Sequence, residues 1–239
     1  KEINMFKKKI KKAAGCLIRS LEKKIKIIFR RESFGLSQLD LKLRPYLKNI
    51  QNGFFIEAGA NDGINQSNTY YFEKYLGWTG ILIEPIPEIF DKCKKNRPKN
   101  IVENYALVDS SYPFKTVTMR YSNLMSTVKG GMKTKEDEDR HIAAGCQLKN
   151  IQTYETEVPA TTMTSILRKH NINKIDFLSL DVEGYEMQAL KGIDFDYYKP
   201  AYILIEARYK DEIIDFLNKQ SYKEIASFND YDILFKLIK

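Results

Sequence analysis

Apolar and polar positions follow two rhythms along this chain. From residue 5 to 30, Phe6, Ile10, Ala14, Leu17, Leu21, Ile25 and Ile28 recur at steps of three and four, with lysines between them. That is the period of one helical face, and it predicts a basic amphipathic helix. From residue 53 the apolar positions instead gather in short solid runs: 53–58 (GFFIEA), 79–84 (TGILIE), 101–108 (IVENYALV), 174–180 (KIDFLSL) and 201–206 (AYILIE). Such runs predict strands buried on both faces, as in a parallel sheet. Between them, 68–76, 87–96, 186–190 and 210–219 carry helical spacing, with Pro87 tolerated in a first turn. Residues 222–226 and 231–237 predict a closing hairpin around Asn229 and Asp230. Strands alternating with helices predict an α/β domain with a parallel sheet and helices on both faces.

Two stretches break the rhythm. Residues 32–52 predict a connector, with a short helix near 39–47 that Pro45 limits. Residues 113–162 predict an insertion in which 114–121 alternates like a strand, 123–131 is polar, 134–145 is helical and 157–161 is extended. An insertion at this point of an α/β fold predicts a substrate lid. The expected organisation is a helical segment at 1–31, a connector at 32–52 and the α/β domain at 53–239.

Charge changes the picture at one end only. The net charge of +8 divides unevenly, because residues 1–31 hold twelve of the 39 Lys and Arg residues and two of the 31 acids. The remainder is close to neutral, which argues against a nucleic-acid partner. The basic segment suits either an anionic membrane surface, such as the inner membrane face, or packing on a protein. Three distant cysteines and two histidines exclude a Cys/His metal cluster, and free thiols suit a reducing cytosol. No apolar run approaches the roughly 18 residues of a spanning helix. The basic start, without a clean apolar block, predicts no cleavable signal peptide.

Three motifs carry chemistry. The first is Glu57-Ala-Gly59-Ala60-Asn61-Asp-Gly63, directly after the first run. Glycine there lets backbone turn sharply and approach a ligand, and Glu57 can accept from a ligand amine. Its Gly-x-x-x-Gly spacing differs from the Gly-x-Gly-x-x-Gly of pyrophosphate binders, which favours a cofactor without phosphates, such as S-adenosylmethionine, over NAD. The second is Glu84, ending the next run ahead of Pro85, where an acid can accept both hydroxyls of a ribose. The end of the third run, around Ala106, is the place for adenine contacts. The third motif is Asp181-Val-Glu183-Gly-Tyr-Glu186. Its acids stand at a strand's carboxyl end, where they can bind an ammonium, orient a hydroxyl or take its proton. A divalent cation is compatible with these acids and not required by them. For Glu186, capping of a helix is explanation enough.

Phe55-Ile-Glu-Ala-Gly-Ala-Asn-Asp-Gly63, Ile83-Glu-Pro-Ile-Pro87, Val158-Pro-Ala-Thr-Thr162 and Phe177-Leu-Ser-Leu-Asp-Val-Glu-Gly-Tyr-Glu186 together resemble the FkbM family of methyltransferases, over roughly residues 52–208. The resemblance implies a Rossmann-like class I methyltransferase fold with a seven-stranded sheet, S-adenosylmethionine as cofactor, and O-methylation, frequently of sugar hydroxyls in glycans or glycosylated metabolites. It implies cofactor contacts for Glu57, Gly59 and Glu84, and a place for Asp181 where cofactor meets acceptor. Residues 1–31 lie outside it.

Methyl transfer to a hydroxyl needs alignment and a nearby base. The candidates are Asp181, then Glu183, then Glu206 after the fifth run, with His141 of the insertion as an outsider. A nicotinamide-dependent oxidoreductase would explain the glycine turn and Glu84 but not the acidic motif. A membrane-docking or scaffold protein with a degenerate fold would explain the basic segment but not the intact set Glu57, Gly59, Glu84 and Asp181.

Overall fold

The computed structural model describes residues 32–238, so the predicted amphipathic helix at 5–30 lies outside the described residues. Seven strands form the central sheet: β1 (Phe54–Ala58), β2 (Thr79–Ile83), β3 (Ile101–Glu103), β8 (Phe177–Leu180), β9 (Tyr202–Glu206), β10 (Tyr222–Ser227) and β11 (Asp232–Leu237). Their order is β10-β11-β9-β8-β1-β2-β3. All neighbours are parallel except β11, which runs antiparallel to both β9 and β10. This is the mostly parallel seven-stranded Rossmann-like sheet that the motifs implied.

The solid apolar runs have a simple cause. Successive side chains of a strand point to opposite faces, and here both faces are covered. Ile56, Ile81, Leu178, Ile203 and Ile233 meet the helices α5 (Met163–Lys169), α6 (Glu186–Lys191) and α7 (Lys210–Lys219) in one cluster. Phe55, Leu82, Phe177, Leu204 and Leu234 meet α1 (Leu39–Leu47), α2 (Tyr70–Leu76) and Cys93 of α3 (Pro87–Asn96) in the other.

Three expectations need adjustment. The stretch 32–52 does more than connect: Leu39, Leu43 and Leu47 of α1 are buried against the sheet. Pro45 is accommodated two residues before that helix ends. The third run is not one strand. It breaks after Glu103, because Asn104 Nδ2 donates to the carbonyls of Glu84 and Pro85, both at 2.9 Å. Its second half, β4 (Ala106–Leu107), leaves the main sheet and pairs with β7 (Tyr154–Thr161).

The strands expected at 114–121 and 157–161 belong to a second sheet. Its order is β4-β7-β5-β6, with β5 at Thr116–Tyr121 and β6 at Thr127–Val128. Val117, Met119, Val128 and Val158 of this sheet close on Ile86 and Ile89 of the α3 region. The helix α4 (Lys135–Lys149) completes it, capped by Thr134 Oγ1, which accepts from the Asp137 amide. Among the described residues no helix is long and apolar enough to cross a membrane.

Candidate active site

Connections leave β1 in opposite directions, to β2 on one side and, later in the chain, to β8 on the other. Such a switch point opens a crevice at the carboxyl ends of the strands. A cleft of about 860 Å³, counting its part open to solvent, lies there. Glu57, Gly59, Ala60, Asn61, Glu84, Pro85, Ala106, Asp181 and Glu183 line it, and Met119, Asn123 and Val128 of the insertion form a wall.

Gly59 opens the cleft floor. Its amide and that of Ala60 both donate to the Ile83 carbonyl, at 3.0 and 3.1 Å, while the Asp181 amide donates to the Ala58 carbonyl at 3.1 Å. These bonds draw the three strand ends together. The backbone of Gly59 is left-handed (φ +80°), and a Cβ there would lie 1.7 Å from the Asp181 carbonyl oxygen.

Glu84 ties two loops together. Its Oε2 accepts from the Asn61 amide and its Oε1 from the Ile86 amide, both at 2.9 Å. The side chain is buried, and burial pushes its carboxyl up to about 7 against the pull of those two amides. Each oxygen keeps a lone pair, so the carboxylate can still accept from a ligand.

Glu57 reaches the cleft floor, but its carboxylate is committed to the protein. It accepts from Ser67 Oγ, the Asn68 amide at 2.7 Å and Thr69 Oγ1 at 2.6 Å, and lies 3.7 Å from Arg97 Nη1. Burial raises its pKa while Arg97 and these donors oppose the rise. Its geometry suits shaping the loop more than gripping a ligand amine. Gly63 is likewise turned inward, not onto the cleft: a Cβ there would strike Arg97 Cγ at 2.7 Å and Cys93 Sγ at 2.9 Å.

Arg97 is the residue sequence reasoning missed. It is fully buried, donates to the Gly63 carbonyl at 2.7 Å and to Ser67 and Thr69, and pairs with Glu73. It braces the loop from Gly63 to Thr69 from behind. Its sequence context, directly after a Lys-rich helix end, is that of an exposed residue, so no local signal marks it.

The other end of the cleft is acidic. Asp181, Glu183 and Glu206 bring one carboxylate oxygen each within 4.8 Å of one another. That is close enough to share a proton or to hold a hard cation. Burial, with the charges of Glu206 and Glu183, drives Asp181 well above the usual carboxylate range, and its Oδ1 is buried without a hydrogen-bond partner. Burial raises Glu183 as well, but His141 and Arg208 pull against the rise. Glu183 is left-handed (φ +55°), and Gly184 after it also has positive φ (+95°). A non-glycine residue held there is a strained one, of the kind that collects at functional sites. Glu206 and His141 stand outside the cleft lining, His141 reaching the cluster from the insertion with Nε2 3.1 Å from Glu183 Oε2. Glu186 caps its own turn, accepting from the Gly184 amide at 2.8 Å.

The buried acids set a pH dependence. Burial raises both Glu84 and Glu186 from an ordinary value near 4.5 to about 7. The native state therefore holds more protons than the unfolded chain between those values, and stability falls as pH rises through the window. The apo protein is expected to melt at a higher temperature at pH 5.5 than at pH 7.5. Glu186→Gln should raise the melting temperature at pH 7.5 and flatten the dependence, whereas a melting temperature that rises with pH across this window would contradict the burial argument.

Comparison with known proteins gives three likenesses. A family model described as the methyltransferase FkbM domain matches residues 57–224. "Methyltransferase 1" of Beauveria bassiana (strain ARSEF 2860) is 26% identical over 160 residues, covering 62% of this chain. The match spans 61% of the length of that relative. The crystal structure of a TehB-like SAM-dependent methyltransferase from Corynebacterium glutamicum ATCC 13032 Kitasato aligns with a TM-score of 0.42 at 9% identity, over 94% of this chain and 100% of that one.

Proposed function

The chain belongs to the FkbM methyltransferase family, and on that premise we propose that its cleft binds S-adenosylmethionine and directs methyl transfer to an oxygen, with a sugar hydroxyl of a glycan or glycosylated metabolite as acceptor. One observation carries the cofactor assignment. The cleft is lined by four acids, Glu57, Glu84, Asp181 and Glu183, and by no Lys, Arg or His among the described residues. A ligand with a sulfonium and an ammonium suits such a wall, and a pyrophosphate does not.

The residues fit that cofactor in three ways. Glu84 offers free lone pairs for a ribose diol. Gly59 lets the backbones after β1 and β8 meet at the cleft floor, where a Cβ would strike the Asp181 carbonyl. The buried, unpartnered Asp181 Oδ1 lacks a donor that an ammonium or a hydroxyl would supply. When bound, the cofactor supplies an activated methyl group. The protein then has to align the acceptor oxygen and receive its proton, and Asp181 and Glu183 are the lining acids beside the insertion wall.

Calorimetric titration with S-adenosylmethionine and, in parallel, with NAD tests this. Binding of the first and not of the second is expected. Binding of NAD alone would replace the proposal with the oxidoreductase alternative.

A further inference from the structure

The acids at the end of β8 do not stand in equivalent surroundings. Glu183 Oε2 lies 3.1 Å from His141 Nε2 and 3.7 Å from Arg208 Nη2. The same Arg208 Nη2 also lies 3.1 Å from His141 Nδ1. A guanidinium has donors only, so Nδ1 must accept, and the ring's proton is left on Nε2, the nitrogen nearer Glu183. Nε2 is buried and makes no aligned hydrogen bond, so this close, off-line approach to Glu183 is its electrostatic outlet. The histidine is 6% exposed, so its ring is shielded from water, whereas Arg208 stays partly exposed.

A third tie holds the same residue. Thr127 Oγ1 donates to the Glu183 carbonyl at 2.8 Å. Two of the three ties, His141 and Thr127, come from the insertion, and they grip a residue whose backbone is strained. The neighbouring Asp181 has another acid, Glu206, as its side-chain partner, and its Oδ1 is buried and unpartnered. The groups that face Glu183 are thus Asp181 from β8, Glu206 from β9, Glu186 from α6, His141 from α4, and Arg208 beyond β9.

We propose that His141 and Arg208 are positioning residues that fix Glu183 as the proton acceptor of this site, so that the insertion completes the base by seating His141. The inference rests on the methyl-transfer reading and goes beyond it by choosing between the acids. Two acids of one short motif in opposed environments divide the roles between them. Asp181, crowded by Glu206 and Glu183, keeps its proton more readily. Glu183, with His141 and the Arg208 guanidinium beside its Oε2, offers its remaining oxygen. As the acceptor oxygen bonds to the methyl carbon, the carbon–sulfur bond pair returns to sulfur. The acceptor's O–H bond breaks, and its proton passes to Glu183 and then to solvent once the product leaves.

The chain has only two histidines, so nitrogen NMR of the full chain labelled in histidine resolves both rings. His170→Gln assigns them. The expected result is an Nε2–H tautomer for His141, with ring resonances that move in Glu183→Gln and in the milder Arg208→Lys. His141→Ala should retain the thermal shift produced by S-adenosylhomocysteine, because His141 does not line the cleft. An Nδ1–H tautomer, or a ring indifferent to both variants, would overturn the proposal. Broadening of the His141 signals by Mn²⁺ would do so too, since the carboxylates would then hold a cation. Failure of the unmodified chain to respond to S-adenosylhomocysteine would instead sink the cofactor reading and leave the tautomer result standing.

Discussion

Gly59→Ala is expected to destabilise the protein by about 4 kcal/mol or more, at the extreme of what single substitutions do. The new methyl carbon would sit 1.7 Å from the carbonyl oxygen of Asp181. Relief requires β1 and β8 to part, yet the Asp181 amide is bonded to Ala58 and the Gly59 amide to Ile83. Neither strand can move without breaking ladder bonds in the centre of the sheet. The left-handed backbone adds about 1–2 kcal/mol for any residue with a side chain. A domain of this size has roughly 5–15 kcal/mol in total. The urea midpoint should therefore fall by roughly 2 M at a slope of about 2 kcal/mol per molar. Gly130→Ala separates the two contributions. Its φ of +73° is similar, but nothing lies within 4 Å of the added carbon. It should lose only the backbone contribution. Equal losses in the two variants would mean that the close approach to Asp181 is not what Gly59 is for.

The sheet was legible because each of its parallel strands is buried on two faces, and solid apolar runs follow from that directly. The third run misled because nothing inside Val102-Glu103-Asn104-Tyr105 looks like a turn. What breaks it is Asn104 reaching the carbonyls of Glu84 and Pro85, partners that meet only after folding. Pro45 understated α1 for the opposite reason: a local penalty near a helix end is outweighed by three leucines packing on the sheet.

The site divides along the same line. Glu84 and Asp181 could be found because each ends an apolar run, and a charge there has to face the crevice. Gly63 could not be placed, since a glycine needed for a ligand and one needed to clear Arg97 and Cys93 look alike in one dimension. Arg97, just after a polar helix, and His141, inside one, look solvated, but both are buried. Their roles are also parallel. Arg97 steadies the loop after β1 through Gly63, Ser67 and Thr69. His141 lies against Glu183 at the acidic end of the cleft. Neither lines the cleft, so their effects should reach ligands only through the residues they hold.

Glu84→Ala should weaken S-adenosylmethionine at least about a hundredfold. A hydrogen bond to a charged acceptor contributes about 1.5–3 kcal/mol, and two ribose hydroxyls would lose one each. The loss has a second source, because the Asn61 and Ile86 amides that now donate to this carboxylate would be left without it. Glu84→Gln removes the charge and keeps the shape and one acceptor oxygen, with its NH2 facing one of the two amides. Protonation of the native side chain should do much the same, and its pKa of about 7 puts that change within reach of ordinary buffers. Only the ionised form accepts from two hydroxyls, so the cofactor binds tighter once the proton has left. Affinity should rise about tenfold per pH unit up to about pH 7 and level off above it. In Glu84→Gln the profile should be flat across the same range. An affinity that is independent of pH in the native protein, or a Glu84→Ala variant that binds within about threefold of it, would remove Glu84 from the cofactor site.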